Sequence, residues 1–182
     1  MKTALVLVDI QKDFFPGGKK ELFGSEEASS NASKLLSAAR EKNMKVIHVK
    51  QLSKDSGFSF CLPDSAGAEI HPSVAPLEGE EILVKNSSNA FKGTDFDEIL
   101  YSNDISKLIF CGMMSHLSID STIRAAKDYG YECVLAYDAC AACDLKFGET
   151  SIPASAVNAS FAASLHEAFA EICETEKLLN TI

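Results

Sequence analysis

The chain has 182 residues, 46% of them hydrophobic and 24% charged, with a formal net charge of −9; this suits one globular domain spanning residues 1–182. The acidic balance argues against nucleic acid and anionic membranes as partners, because both would repel it. No apolar run reaches membrane-spanning length, and the run Ala4–Val8 stops at Asp9 with no cleavage site behind it, so the chain is expected to stay in the cytoplasm where it is made.

Apolar runs and helical patterns then alternate. Thr3–Asp9 is predicted as a buried strand ending on an acid. Glu26–Asn43 carries Ala28, Ala32, Leu35, Leu36 and Ala39 at helical spacing. Met44–Lys50 is a second strand, rich in β-branched residues. A polar segment with several prolines and glycines follows from Gln51 to Gly79, and a loop of that length in a compact domain is usually functional. Glu81–Lys85 is a short third strand. Thr94–Tyr101 reads as a helix with Thr94 as its N-cap and acids near its positive end.

Lys107–Cys111 is a fourth strand, which Gly112 is expected to close. Ser115–Tyr129 is a helix that Gly130 stops. Tyr131–Asp138 is a fifth strand, and Pro153–Phe169 an Ala-rich helix with proline in its first turn. A short strand at Glu171–Cys173 and a helical turn end the pattern. Such alternation predicts an α/β fold: a three-layer α/β/α, doubly wound sandwich around a mostly parallel six-stranded sheet. Ligands in such sheets bind beyond the carboxyl ends of the strands, near the point where the strand order reverses.

Three strand ends carry polar groups. The first ends on Asp9, an acid or base candidate. The third ends on Lys85, a cation. The fourth leads through Gly112-Met-Met-Ser-His-Leu-Ser118 into a helix whose first turn presents backbone N–H groups. Each alone is also what a turn, a strand edge or a helix surface carries; together they mark one crevice. The six cysteines suit free thiols rather than a disulfide framework. The pair Cys140 and Cys143 forms a CxxC, which without a second ligand pair does not define a zinc site. The histidines at 48, 71, 116 and 166 show no ligand spacing, so no metal and no cofactor is expected.

The segment Val8-Asp9-Ile-Gln11-Lys-Asp13-Phe14-Phe15 resembles the D-x-Q-x-D-F opening of isochorismatase-like hydrolases. Lys85 with Asn86-Ser-Ser-Asn89-Ala-Phe91 is similar to that family's catalytic-lysine segment. Gly112 to Ala126 is similar to its nucleophile segment, and Asp138-Ala-Cys-Ala with Asp144-Leu145 to the stretch that follows. The likeness runs in order from Ala4 to about Ile172.

The resemblance implies the same doubly wound fold and an Asp-Lys-Cys triad. Its members map to Asp9, Lys85 and, at the cysteine position, Ser118. It also places an oxyanion hole at the backbone N–H groups of Met114 and Ser118, a cis peptide between Met113 and Met114, and a homo-oligomer, dimer or tetramer. Phe14, Phe91, Leu117 and Phe147 are candidates for apolar walls around a small-molecule substrate. The D-x-H pattern of the metal-binding members is absent after the second strand.

The chemistry implied is hydrolysis of a C–N bond in a small amide, carbamoyl or imide compound. Serine weakens it: a hydroxyl is far less acidic than a thiol, and Ser–Lys pairs require a neutral lysine. Beside Asp9, Lys85 is favoured as the cation, so weak or absent turnover is expected. The chain is then either a Cys-to-Ser variant with its surroundings intact, the reading those surroundings favour, or a natural departure. Two alternatives stand beside the amidohydrolase. One is vinyl-ether hydrolysis of the isochorismatase type with Asp9 as general acid, which needs no thiol. The other is a catalytically silent homologue with a binding role.

Overall fold

The computed structural model describes residues 2–54 and 57–182; Met1 and two residues of the long segment after the second strand, Asp55 and Ser56, lie outside the described residues. Six strands form one parallel sheet in the order β3-β2-β1-β4-β5-β8. These are β1 (Lys2–Val8), β2 (Lys45–Gln51), β3 (Glu81–Lys85), β4 (Ile105–Met113), β5 (Glu132–Ala141) and β8 (Glu171–Cys173). The chain enters at the centre on β1, moves outward through β2 and β3, then crosses back to β4 and builds the other half. The order therefore reverses between β1 and β4.

The strands are apolar on both faces because helices cover both. Leu5, Leu7, Val46, Ile109 and Val134 face α1 (Ser25–Glu41), which contributes Ala28, Ala32, Leu35, Leu36 and Ala39, and Leu178 of α5 (Thr175–Leu179) joins them. Ala4, Val6, Val8, Ile47, Leu108 and Phe110 face the other way. They pack with Phe96 and Leu100 of α2 (Phe96–Ser102), Ile123 and Ala126 of α3 (Asp120–Asp128), and Leu165 of α4 (Ala154–Ala168). The period-two alternation of a strand thus serves two cores at once.

Local chemistry sets the element ends. Helix α1 stops two residues before Asn43, where the expectation had run it. Asn43 adopts φ 53°; its N–H bonds Arg40 O at 3.0 Å, and Met44 N bonds Ala39 O at 2.9 Å, a Schellman stop. Helix α2 begins at Phe96, with Asp95 and not Thr94 as its N-cap residue; Thr94 Oγ1 lies outside the helix and accepts the Phe96 N–H at 3.3 Å.

Gly112 does not close the fourth strand. β4 runs through it to Met113, with Gly112 at φ 130° and so close to β1 that a Cβ would stand 2.0 Å from Val8 O. Glycine here permits close approach rather than a stop. The expected Ser115–Tyr129 helix also divides: Ser115–Ile119 is a π-helical turn, and regular helix starts at Asp120.

An antiparallel hairpin absent from the sequence expectations joins β6 (Leu145–Phe147) to β7 (Thr150–Ile152). Its two-residue turn places Gly148 first at φ 58°, the position where such turns favour glycine. Among the described residues, no helix is long and apolar enough to cross a membrane.

The end of the long segment is tied down by Glu80. Its carboxylate accepts both Arg40 Nε and Nη2 at 2.8 Å, the Leu77 N–H at 2.8 Å, and lies 2.9 Å from His48 Nε2. The Arg40 guanidinium is the main cause that holds the Glu80 carboxyl down at about 2, against an ordinary 4.5. A carboxyl lowered by folding stabilises fully above its unfolded pKa and loses that contribution as pH falls through its folded one. Glu80→Gln is therefore expected to lower stability by about 2 kcal/mol at pH 7 in urea unfolding. The gap between variant and parent should close between about pH 4.5 and about pH 2; a gap unchanged across that window would contradict the assignment.

Candidate active site

Four strand ends on the carboxyl side of the sheet converge on one buried ammonium. Lys85, the last residue of β3, donates from Nζ to Asp9 Oδ2 at 2.7 Å, Gln51 Oε1 at 2.7 Å, Ser87 O at 3.0 Å and Ser118 Oγ at 3.1 Å. Its side chain is wholly buried. A lysine at the sheet edge thus reaches past β2 to the ends of β1 and β4, the flexible four-carbon stem spanning what a shorter side chain cannot.

Each partner is placed by its backbone. Asp9 follows β1 with φ 51° and gives its N–H to Val49 O at 2.9 Å. Aspartate tolerates this left-handed conformation better than most residues, and the turn leaves the carboxylate at the strand end. Ser118 sits in the π-helical turn, where Met114 O accepts the N–H groups of Leu117 and Ile119 at 3.1 and 3.3 Å. The peptide between Met113 and Met114 is cis, as expected.

Side-chain bonds fix this turn to its neighbours. Ser115 Oγ bonds Asn158 Oδ1 at 2.5 Å and Ala141 O at 3.2 Å. Thr122 Oγ1 accepts the Ala90 N–H at 3.0 Å, linking the helix behind Ser118 to the segment behind Lys85.

The opening segment is equally anchored. Gln11 donates from Nε2 to Gln51 O at 2.9 Å and Ala68 O at 2.8 Å, and accepts the Gln51 N–H at 2.8 Å. Asp13 accepts the N–H of Cys61 at 2.6 Å and that of Lys19 at 3.1 Å. Gly67 passes so close that a Cβ would meet the Asp13 carboxylate. These two polar side chains hold the long segment over the sheet end, and Gln11 in turn orients Gln51 toward Lys85.

The electrostatics favour a proton carrier. Burial pushes the Asp9 carboxyl above its ordinary value, while the Lys85 charge and hydrogen bond and the Ser118 hydroxyl pull the other way. Asp9 Oδ1, Gln51 Nε2 and Ser53 Oγ are buried without a partner among the described residues. Unpaired buried polar atoms are costly, and two of these, on Asp9 and Gln51, belong to side chains that bond Lys85, which fits a polar ligand.

Asp9, Lys85 and Ser118 are thus brought together, and Gln51, which the sequence reading passed over, joins them. The apolar candidates differ in burial. Phe14 is core, packed on Phe60 at 5.4 Å between ring centroids. Phe91 stacks on Tyr129 at 4.8 Å and packs against Phe96. Leu117 packs against the α1-side core. Phe147, on the hairpin, is 84% exposed. Arg124 is structural: it pairs with Asp120 at 2.9 Å and lies over the Phe169 ring. A hollow of about 460 Å3 lined by Thr3, Lys107 and Lys177 involves none of the centre's residues.

Known proteins share this fold and sequence pattern. Residues 3–176 match the family model described as the isochorismatase domain. The isochorismatase family protein YddQ of Bacillus subtilis (strain 168) is 41% identical over 179 residues, covering 98% of this chain and 99% of that protein. The crystal structure of an isochorismatase from Pseudomonas putida KT2440 superposes with a TM-score of 0.91 at 38% identity, covering 96% of this chain and 89% of that one. Streptothricin hydrolase of Streptomyces noursei is 28% identical over 142 residues, covering 78% of this chain and 55% of that protein.

Lys85→Met is expected to cost about 3 kcal/mol in denaturant unfolding near pH 7, because it leaves the Asp9 carboxylate buried and unpaired. The loss should shrink as pH falls and Asp9 takes up a proton. Asp9→Asn combined with Lys85→Met should then cost less than the sum of the two single changes; strict additivity would contradict a direct ion pair.

Proposed function

The chain belongs to the isochorismatase family, and we propose that it hydrolyses the C–N bond of a small amide, carbamoyl or imide compound at Asp9, Lys85 and Ser118, with slow turnover set by the serine. The observation that carries this reading is the shared ammonium: Lys85 Nζ contacts both the Asp9 carboxylate and the Ser118 hydroxyl. The relative that acts on streptothricin supports a hydrolytic role for this fold family.

Ser118 Oγ attacks the substrate carbonyl carbon and its proton passes to Asp9. The backbone N–H groups of Met114 and Ser118 take the developing oxyanion. Asp9 returns the proton to the leaving nitrogen, and water releases the acyl group as a carboxylate. Lys85, ringed by four oxygen acceptors, serves as the cation that orders Asp9 and Ser118, not as the base. That leaves a carboxylate to activate a hydroxyl, a poor match in basicity, hence the slow turnover. The same centre with a thiol would be faster, because a cation and a helix start both favour a thiolate. The active form is proposed to be a homo-oligomer that takes a small-molecule substrate.

One observation favours a second reading. A buried carboxyl raised above its ordinary range is suited to donate a proton, as vinyl-ether hydrolysis of the isochorismatase type requires, and that reaction uses no thiol.

Ammonia release over an amide panel, with pyruvate release from isochorismate in parallel, separates the two. Ser118→Cys is expected to raise ammonia release at least about a hundredfold. Asp9→Asn in that background should lower it by a similar factor. Equal amidase rates with serine and cysteine would sink the first reading, and pyruvate release by the unchanged chain would establish the second.

A further inference from the structure

The end of the sheet opposite Lys85 has a hollow of its own. Near the strand starts Thr3 pairs in register with Lys107, and Ile109 with Val134. These residues lie on the α1 side of the sheet. There a space of about 460 Å3 remains, flanked by Lys42 just past α1 and by Leu178 of α5. Small-molecule pockets occupy roughly 300–1,000 Å3 and combine apolar walls with a few polar groups.

This hollow has both. Its floor is apolar: Ile109, Val134 and Leu178 are core residues that also line it. Its rim is cationic, with Lys42, Lys107 and Lys177 around it. The one acid that lines it, Glu171, is already engaged, by the Lys177 ammonium at 3.4 Å and the Cys173 thiol at 3.2 Å. Lys42 and Lys107 make no side-chain hydrogen bond or ion pair among the described residues. Three ammoniums against one carboxylate give a local positive excess in a chain whose net charge is −9. A lysine beside apolar surface lays its stem there and keeps its charge free to meet an anion.

We propose that this hollow is a second binding site, for a small organic acid that carries one carboxylate on a compact apolar body. The body lies on Ile109, Val134 and Leu178, which takes its hydrocarbon out of water. The carboxylate accepts hydrogen bonds from the Lys42 and Lys107 ammoniums, while Lys177 stays with Glu171. Neither part of the ligand suffices alone: the floor does not select an anion, and two solvated ammoniums hold a bare carboxylate weakly. The site shares no residue with Asp9, Lys85 and Ser118, so it does not rest on the hydrolytic reading.

The test titrates the 15N-labelled full chain with 3-phenylpropionate and follows the backbone amides. Saturable shifts are expected at Lys107, Val134 and Leu178, with an apparent Kd at or below about 1 mM. The neutral alcohol 3-phenylpropan-1-ol has the same body without the charge, and acetate the charge without the body; each should bind about tenfold or more weakly. Lys42→Gln combined with Lys107→Gln should weaken 3-phenylpropionate about tenfold with the thermal midpoint retained. No saturation by about 10 mM, shifts confined to the surroundings of Gln51 and Ser118, or equal affinity for acid and alcohol would overturn the proposal, as would an unchanged Kd in the folded double variant. The comparison of acid with alcohol decides the matter even where that variant does not fold.

Discussion

A lysine side chain with no exposure must find its hydrogen-bond acceptors inside the protein, and that requirement organises the carboxyl end of this sheet. The Lys85 ammonium takes an oxygen from β1's end, one from β2's end, one from the backbone two residues on, and one from the turn after β4. Without such partners a buried ammonium would carry a desolvation penalty of several kcal/mol. Asp9, Gln51 and Ser118 are therefore bound to one another through Lys85 before any ligand arrives, and a preorganised polar centre is what hydrolysis needs.

The rest of the fold makes that convergence possible. The strand order reverses between β1 and β4, so their carboxyl ends diverge into separate turns and leave a crevice. Gly112 lets β4 pass against Val8 where a side chain would collide. Gln11 and Asp13 hold the long segment over the opening, and Glu80 with Arg40 fixes its far end to α1. The same opening segment thus supplies one member of the buried polar centre, Asp9, and two side chains, Gln11 and Asp13, that anchor the long segment.

Much of this was legible in the sequence because strands buried on both faces are continuous apolar runs. Glu81–Lys85 and Glu171–Cys173 have the bounds the sequence suggested, and Asp9 and Lys85 were visible as polar residues ending such runs. What was not legible depends on partners distant in the chain. Gly112 looked like a stop because the close approach of β1 cannot be seen locally. Gln51 looked like the start of a loop because its partner Lys85 lies on another strand. The β6–β7 hairpin has three-residue strands, too short for alternation to show, and only the Gly148-Glu149 turn marked it. Phenylalanines suggested a substrate pocket, but Phe14 and Phe91 pack in the cores, since burial alone does not separate a pocket wall from a core residue.

Both hydrolytic readings pass a proton through Asp9, whose carboxyl burial holds above its ordinary value despite an ammonium 2.7 Å away. It takes a proton from Ser118 in one reading and supplies one to substrate in the other. The most direct measurement is the titration of Asp9 itself, by 13C NMR of the aspartate side-chain carboxyls, with its resonance assigned from Asp9→Asn. A protonation midpoint above the ordinary 3.8 is the result this account predicts. A midpoint at or below 3.8 would contradict it, because Asp9 would then be a fixed anion that neutralises Lys85 and carries no proton.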